Sequence, residues 1–423
     1  MLSREDNERL TRVGAGSSMG QLLRRYWHPV AAVAELADKP VKAIRLFGED
    51  LVLFQDKSGG YGLINRRCPH RGFDLSYGTV EEKGLRCSYH GWRFCSGGRC
   101  LEQPFEDTVN PAARFKDKIS MTAYPVKAQA GLLWVYMGPD PVPPLPLWEP
   151  FTWDRGFVHV FFAEVPCNWF QCQENSIDPV HFEWLHMNWL NEQHGDGTEK
   201  PPPKHLRIGF REFDYGFQYG RVMEGSSEED EAWTIGRVCL WPNALYTGLN
   251  FSWRVPIDEE RTLAVDWAYT PVPADKLPFR QKRVPYSYLP LQATDGRWLV
   301  GDIVHQDLVA LVAQGPIADR TTEHLGASDE GIILMRRKFF AEMKRLEEGD
   351  APPFALPSQD GPCELPFMGR DYLLQNRPTE KKGFDAVQRQ VFEEHVISGL
   401  SEETLAAWTD VFGEPPRFHC EVD

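Results

Sequence analysis

The spacing of hydrophobic and polar residues divides the chain into segments with different predicted structure. Residues 3–27 follow a mostly helical pattern, with Ser17 or Ser18 as the cap of its second half. From about residue 41 to residue 138 the pattern changes to short apolar runs separated by Gly and Pro, which is typical of strands and turns. Within this stretch, residues 43–47 and 51–55 predict a β-hairpin.

A proline-rich segment at residues 138–146 is the clearest domain boundary. The predicted elements beyond it are a strand at 157–164, a helical stretch at 168–189 interrupted by Pro179, successive strands within 205–270, and helices at 302–313 and 329–348. This order fits a mixed antiparallel sheet flanked by helices. We therefore expect an α+β protein with an all-β first domain.

Composition narrows the class of protein. A chain of 423 residues with 42% hydrophobic and 25% charged residues is typical of a globular protein with two or three domains. The formal net charge of -15 argues against a nucleic-acid surface. No apolar run approaches the roughly 18 residues of a membrane span, and residues 1–10 are polar, so we expect a cytoplasmic protein without membrane association.

The sharpest chemical signal is a repeated pair of cysteine and histidine. Cys68 and His70 form one half, Cys87 and His90 form the other, and sixteen residues separate the halves. Two thiolates on one iron and two imidazoles on the other hold a Rieske [2Fe–2S] cluster, and neutral imidazoles raise its reduction potential. The pattern therefore predicts a cluster that accepts electrons from a low-potential donor.

A structural zinc site is the alternative for the same four residues, because zinc also binds two cysteines and two histidines. Zinc fingers usually group the cysteines separately from the histidines, whereas each loop here carries one of each. The ligand order therefore favours the iron–sulfur cluster. Cys95 and Cys100 lie close by, and in a reducing compartment we expect both to be free thiols.

A second metal site is indicated downstream. Asn175, Asp178 and His181 are spaced three apart and share one face of a helix, whereas His186 follows His181 by five residues. An ideal helix would point His186 elsewhere, so the helix must end or deform before it. Two histidines and one carboxylate from a distant segment form the facial triad of non-haem iron enzymes.

The carboxylate of this triad must come from another part of the chain. Asp307 lies on a predicted short helix and would need a partner if buried, which a metal would supply. Asp302 and Glu323 are its nearest competitors. Asp178 is better placed to orient His181 by accepting its other ring N–H.

With these motifs the chain resembles the alpha subunits of Rieske non-haem iron aromatic-ring oxygenases, and in particular the phthalate dioxygenase-like branch. Residues 20–30, 314–317, 322–326 and 328–329 carry the resemblance to that branch. It implies a helical arm at 1–26, a Rieske domain at 27–145, and a catalytic domain at 150–423 with a helix-grip-like antiparallel sheet.

The resemblance also implies roles for individual residues. The implied cluster ligands are Cys68, His70, Cys87 and His90; the iron ligands are His181, His186 and Asp307; Asp178 bridges the two centres, and Asn175 is a polar group near the iron. The cofactors would be one [2Fe–2S] cluster and one Fe²⁺ per subunit. Partners would be a flavin- and [2Fe–2S]-containing NAD(P)H reductase and further copies of the chain in a homotrimer or a hexamer of stacked trimers, with electrons passing between neighbouring subunits.

The expected function is hydroxylation or cis-dihydroxylation of a small aromatic substrate, an aromatic carboxylate or similar anion, with O₂ and reductase-supplied electrons. An oxidative O- or N-demethylase of the same superfamily is the first alternative. A Rieske electron-transfer protein with an appended binding domain is the alternative from another class, which the second metal motif argues against. Lys204, Arg207 and Arg211 offer charges for an anion, but each is expected at the surface.

Overall fold

The computed structural model describes residues 1–194, 203–349, 361–370 and 399–413, and the chain divides into two compact units. One unit comprises Val13–Leu145 with Pro256–Asp258; the other comprises Met1–Arg12, Pro146–Val255 and the chain from Glu259 onward. Helix α1 (Arg4–Thr11) belongs to the second of these. Within the described residues, no helix combines the length and the apolar character needed to cross a membrane.

The unit of residues 13–145 is built from short strands. Its strands are β1 (Trp27–Ala32), β2 (Val41–Leu46), β3 (Glu49–Gln55), β4 (Tyr61–Asn65), β5 (Thr79–Glu81), β6 (Gly84–Arg86), β7 (Arg93–Phe94), β8 (Cys100–Glu102), β9 (Ala123–Tyr124), β10 (Val126–Gln129) and β11 (Leu132–Tyr136). They form three antiparallel sheets with the orders β2-β3-β4-β9, β5-β6-β7-β8 and β1-β11-β10. Its helices are α2 (Ser18–Leu23), α3 (Val33–Asp38) and α4 (Pro104–Val109).

Local sequence explains two features of this unit. Leu46 pairs with Glu49, which leaves Phe47 and Gly48 as a two-residue turn with φ of 49° and 80°, the positive values that the twist of a tight hairpin requires. The hairpin prediction is thereby confirmed. The Ser17 side chain accepts a hydrogen bond from the Gly20 N–H (3.1 Å) and caps α2, but the predicted helical stretch ends earlier than expected because β1 begins at Trp27.

The second unit is organised around one large sheet. Its strands are β12 (Gly156–Val165), β13 (His205–Phe213), β14 (Gly216–Met223), β15 (Arg237–Leu240), β16 (Ala244–Tyr246), β17 (Asn250–Pro256), β18 (Thr262–Pro271) and β19 (Tyr286–Tyr288). The sheet order is β13-β14-β15-β16-β17-β18-β12-β19, with β19 parallel to β12 and β12 antiparallel to β18. Its remaining helices are α5 (Trp169–Asn175), a π-helical segment (Phe182–Asn188), α6 (Trp189–His194), α7 (Glu231–Thr234), α8 (Ile303–Val312), α9 (Glu330–Glu347) and α10 (Glu402–Phe412). The expected α+β class, with an all-β domain followed by a sheet flanked by helices, is confirmed.

Helices α5 and α8 pack on this sheet through apolar side chains. One buried cluster joins Phe161 and Ala264 of the sheet to Cys172 of α5 and Leu308 of α8. At the end of α5, the buried carboxylate of Glu174 forms ion pairs of 2.6 Å with Arg320 and Arg336. These charge-assisted contacts fix the position of α5 and therefore of the residues that follow it.

Candidate metal centres

The two cysteine–histidine motifs occupy loops with matching backbone geometry. The Cys68 N–H donates to the Phe73 carbonyl (2.9 Å), and the Cys87 N–H donates to the Trp92 carbonyl (2.8 Å). Gly72 and Gly91 have φ of 70° and 76°, a left-handed conformation that glycine adopts without strain. The repeated motif in the sequence therefore produces two equivalent loops.

The side chains of these loops suit an iron–sulfur cluster. Cys68 and Cys87 are buried free thiols, and burial followed by the contact with Cys87 raises the pKa of Cys68 to about 12. A bound cation is needed to hold the Cys68 thiol as a thiolate at neutral pH. The His70 and His90 rings lie 4.5 Å apart, and the buried His70 Nδ1 has no hydrogen-bond partner among the described residues, as expected of an atom reserved for a metal.

The second group of ligands is assembled by three consecutive structural changes after residue 168. Helix α5 ends at Asn175, Asp178 and Pro179 form a bend, and the chain resumes as a π-helical segment immediately after His181. A π-helix turns less per residue than an α-helix, so residues five apart lie closer to one face. The expectation that the helix deforms before His186 is confirmed, and the π winding is what turns His186 toward His181.

Helix α8 supplies the carboxylate. One nitrogen from each of His181 and His186 and one oxygen of Asp307 all lie within 4.8 Å of one another. The Asp307 Oδ1 atom is 3.6 Å from His181 Nε2 and 3.1 Å from His186 Nε2. Two imidazole nitrogens and one carboxylate oxygen that converge in this way are the donor set of a 2-His-1-carboxylate iron site.

Neighbouring groups keep the Asp307 carboxylate ionised. Burial opposes ionisation, but the imidazoles of His186 and His181 and a hydrogen bond of 3.0 Å from Asn175 Nδ2 lower the pKa of Asp307 well below its usual range. Asn175 Nδ2 is also 3.4 Å from His181 Nε2. Asn175 therefore lies beside the three ligand atoms, where the resemblance implies it.

Asp178 lies on the opposite side of the His181 ring. Its Oδ2 atom is 3.6 Å from His181 Nδ1, too long for a hydrogen bond, and its Oδ1 accepts the backbone N–H of Val180 at 2.8 Å. The buried His181 Nδ1 has no closer acceptor among the described residues. Asp178 is thus placed to orient His181 but does not face the three ligand atoms.

The competing carboxylates have other partners. Asp302 caps α8 by accepting the His305 N–H and also contacts His305 Nδ1 at 2.7 Å. Glu323 forms an ion pair with Arg336. Neither belongs to the group of converging atoms, whereas Asp307 does.

Sequence reasoning missed Gln306. Its buried Oε1 lies 3.1 Å from His186 Nδ1, and because a carbonyl oxygen only accepts, Nδ1 donates to it, which leaves Nε2 as the nitrogen that would bind a metal. Nothing in the sequence distinguishes this glutamine, because its contact with His186 forms only when α8 meets the π-helical segment.

Two inward-facing arginines, Arg221 and Arg237, were also missed. A signal for the first was present: in β14, Phe217, Tyr219 and Arg221 alternate on one face, so a charged residue continues an apolar series. The arginines named from sequence lie elsewhere. Arg207 and Arg211 are exposed on β13, as expected of surface residues.

Comparison with known proteins agrees with the two centres. The Rieske [2Fe-2S] domain family matches residues 26–116, and the family described as LigXa C-terminal domain like matches residues 228–357. The chain is 49% identical over 406 residues to the 5,5'-dehydrodivanillate O-demethylase oxygenase subunit of Sphingobium sp. (strain NBRC 103272 / SYK-6), covering 94% of this chain and 96% of that protein.

Two further relatives extend the comparison. The chain is 32% identical over 403 residues to the phthalate 4,5-dioxygenase oxygenase subunit of Pseudomonas putida, covering 83% of this chain and 88% of that protein. A solved complex between oxygenase and ferredoxin in carbazole 1,9a-dioxygenase has a TM-score of 0.53 at 21% identity, covering 79% of this chain and 93% of that chain, which shows a common fold.

Proposed function

The chain belongs to the Rieske non-haem iron oxygenases, and from that membership we propose that its substrate is a small aromatic carboxylate oxidised with O₂. The observation that carries the proposal is the convergence of His181, His186 and Asp307 in a chain that also has both Rieske loops. A pure electron carrier has no use for such a triad. The enzyme therefore uses its two metal centres together, one to deliver electrons and one to act on the substrate.

We propose a role for each ligand and for the residues beside it. Cys68, His70, Cys87 and His90 hold the [2Fe–2S] cluster within a Rieske domain at 27–145, and His181, His186 and Asp307 hold iron within a catalytic domain at 150–423, with residues 1–26 as an N-terminal arm. Held by these three side chains, iron would supply the activation of O₂. Asn175 and Gln306 keep Asp307 and His186 in the geometry and protonation state that metal binding needs.

Two reaction outcomes fit this site. The first is hydroxylation or cis-dihydroxylation of the ring, and it is supported by the relative named as a phthalate 4,5-dioxygenase oxygenase subunit. The second is O-demethylation, favoured by the 49% identity to the 5,5'-dehydrodivanillate O-demethylase subunit. In O-demethylation one oxygen atom enters a methyl C–H bond, the other leaves as water with two electrons and two protons, and the resulting hemiacetal collapses to a phenol and formaldehyde.

The enzyme needs an external source of electrons. Both relatives are described as oxygenase subunits, and the related solved structure is a complex with ferredoxin. We propose that a flavin- and [2Fe–2S]-containing NAD(P)H reductase, or a ferredoxin, reduces the cluster. We also propose a homotrimer, alone or stacked as a hexamer, in which the cluster of one subunit serves the iron of its neighbour.

Metal content tests the assignment first. Protein purified without oxygen should contain about three irons and about two acid-labile sulfides per chain and give the EPR signal of a reduced Rieske cluster. About two irons per chain would favour an electron carrier, and zinc without a cluster signal would contradict the whole assignment.

Product analysis then separates the two outcomes. The loaded enzyme is supplied with O₂, NADH and a surrogate reductase, and 5,5'-dehydrodivanillate, phthalate and 3-chlorobenzoate are offered in turn. Formaldehyde with a phenol identifies demethylation, whereas a cis-diol identifies ring dioxygenation.

A further inference from the structure

The face of the sheet that looks toward α5 carries two arginines. Tyr219 of β14 pairs with Arg237 of β15, so Arg237 shares a face with Tyr219 and, two residues along the strand, with Arg221. Cys239 lies on the same face, and its Sγ contacts Gln173 Nε2 of α5 at 3.2 Å. Both arginines therefore lie on the side of the sheet where α5 packs.

Both guanidinium groups also lie against one aromatic ring beside the metal ligands. The Cζ atom of Arg221 is 4.5 Å from the centre of the Phe182 ring, and that of Arg237 is 5.3 Å from it. Phe182 is the residue after His181, and its ring lies 5.6 Å from that of His186. Both positive charges therefore contact the residue that directly follows the proposed iron ligand His181.

Apart from the Phe182 ring, no described group offsets the charge of Arg221 through a contact at Nη1 or Nη2. Its side chain is 3% exposed, and within residues 1–194, 203–349, 361–370 and 399–413 neither Nη1 nor Nη2 has a hydrogen-bond partner. Over the same ranges it forms no ion pair, whereas the buried Arg320 and Arg336 share Glu174. A buried unpaired charge costs several kcal/mol, so this arginine is not explained by stability.

The two guanidinium groups act on each other as like charges. Burial, and after it the charge of Arg237, lowers the pKa of Arg221 to about 9. Diagonal neighbours on adjacent strands with like charges repel each other. An anion bound between them would relieve both the desolvation and the repulsion, and a carboxylate matches the planar guanidinium with two parallel hydrogen bonds.

We propose that Arg221 and Arg237 bind the carboxylate of the substrate over the Phe182 ring and so direct the rest of the substrate toward His181, His186 and Asp307. This inference rests on the proposed function, and it names the two residues that would recognise the carboxylate of the proposed substrate. The rigid strands β14 and β15 carry the charges, so the carboxylate would be held at a fixed distance from the metal. Substrates without an anionic group would lose this anchor.

The test compares an acid with its uncharged isostere. The probes are 5,5'-dehydrodivanillate and its diamide, and binding is measured by anaerobic calorimetry on the metal-loaded enzyme. The variants are Arg221→Met and Arg237→Met, with Arg221→Lys to restore a charge. Arg207→Met is the matched control, because its guanidinium also covers an aromatic ring, Trp233 at 4.7 Å, but is exposed.

The expected result is selective loss of affinity for the acid. A charge-assisted hydrogen bond contributes about 1.5–3 kcal/mol, so Arg221→Met and Arg237→Met should each raise the Kd of the acid about tenfold or more. The Kd of the diamide should change little, Arg221→Lys should recover part of the affinity, and Arg207→Met should match wild type. The apparent Tm of ligand-free Arg221→Met should equal or exceed that of wild type, because an unpaired buried charge is removed.

Other outcomes would overturn the anion site. Equal weakening of acid and diamide in Arg221→Met would assign Arg221 a packing role, and equal binding of both probes by wild type would show that no anion is recognised. If wild type bound none of 5,5'-dehydrodivanillate, phthalate and benzoate, recognition of an aromatic carboxylate would likewise be contradicted. If such an enzyme still oxidised a neutral methoxyarene with the product signature above, the oxygenase function would stand without the arginine site.

Discussion

Gln306 is the side chain that fixes the protonation of a proposed iron ligand. We predict that Gln306→Leu weakens iron binding by about 10–100-fold, the usual cost of losing a group that orients a metal-bound histidine. The reason is that His186 Nδ1 would lose its acceptor at 3.1 Å and the ring could rotate or change tautomer. Iron retained during dialysis against a chelator, measured together with acid-labile sulfide, provides the test.

The conservative change serves as the control for this prediction. Gln306→Glu keeps an acceptor for His186 Nδ1 and should retain iron like wild type. Sulfide content should be unchanged in both variants, because the cysteine–histidine loops belong to the other unit. Full retention of iron by Gln306→Leu would show that His186 is oriented without Gln306.

For Asp178 we propose a role in electron delivery rather than in metal binding. We predict that Asp178→Asn leaves both centres loaded but slows oxidation of the reduced cluster by O₂ about tenfold or more when substrate is bound. Its carboxylate lies 3.6 Å from His181 Nδ1, where a negative charge can stabilise the electron-transfer contact. Single-turnover absorbance of the cluster measures the rate, with the exposed Asp154→Asn as the control. Unchanged rates in Asp178→Asn would remove the bridging role.

Site residues could be predicted from the sequence where the residues that act together are close along the chain, and could not where they are far apart. Cys68 and His70 are two positions apart, so one loop conformation brings them together and the motif alone indicates the chemistry. Arg221 lies 39 positions after Phe182, and their contact exists only after β14 has joined the sheet. The sequence shows a charged residue, Arg221, in an apolar strand face, but it does not show that Phe182 is the residue it contacts.

At the scale of elements, the hydrophobic pattern predicted helices and strands more reliably than their interruptions. The helix expected at 329–348 is α9, Glu330–Glu347, because its apolar residues repeat at helical spacing. Within the successive strands expected at 205–270, the break between β16 and β17 follows from Gly248, which adopts a φ of 102° in the turn between them. A positive φ at glycine leaves no mark in the hydrophobic pattern.

The packing of α10 on β12 creates a sensitivity to acid. His159 of β12 is buried against Phe157 and Trp408, with no hydrogen-bond partner for either ring nitrogen among the described residues. Burial lowers the pKa of His159 from 6.5 to about 4. Between these pH values the imidazole of residue 159 is protonated in the unfolded chain but neutral in the folded chain. The free energy of unfolding therefore decreases as the pH falls below 6.5.

The predicted consequence is a smaller acid effect in a variant without this imidazole. At pH 5, protonation of His159 in the unfolded chain lowers the free energy of unfolding by about 2 kcal/mol. The apparent Tm of His159→Phe should therefore fall less than that of wild type between pH 7.5 and about pH 5. Differential scanning fluorimetry at both pH values gives the comparison, with the exposed His324→Phe as the control. An equal loss in His159→Phe and wild type would show that other groups dominate the acid response.

At the scale of the whole molecule, the proposed trimer makes a prediction that neither centre makes alone. Cys87→Ser should abolish the cluster and spare the iron, whereas His181→Ala should abolish the iron and spare the cluster, so each variant alone should be inactive. When both are co-expressed with different tags and mixed assemblies are isolated, an intact cluster can face an intact iron in the neighbouring subunit. In a closed head-to-tail ring of three, every mixed assembly has one such pair.

Mixed assemblies should therefore form product at about one third of the wild-type rate per trimer, because the wild type has three productive pairs. Light scattering of the same samples reports whether three or six chains associate. Mixed assemblies of the expected mass without activity would mean that electrons do not pass between neighbouring subunits, because the two intact centres would then reside in different chains that cannot communicate. Activity in the mixture, with none in either parent, requires the contact between subunits to be part of the catalytic unit.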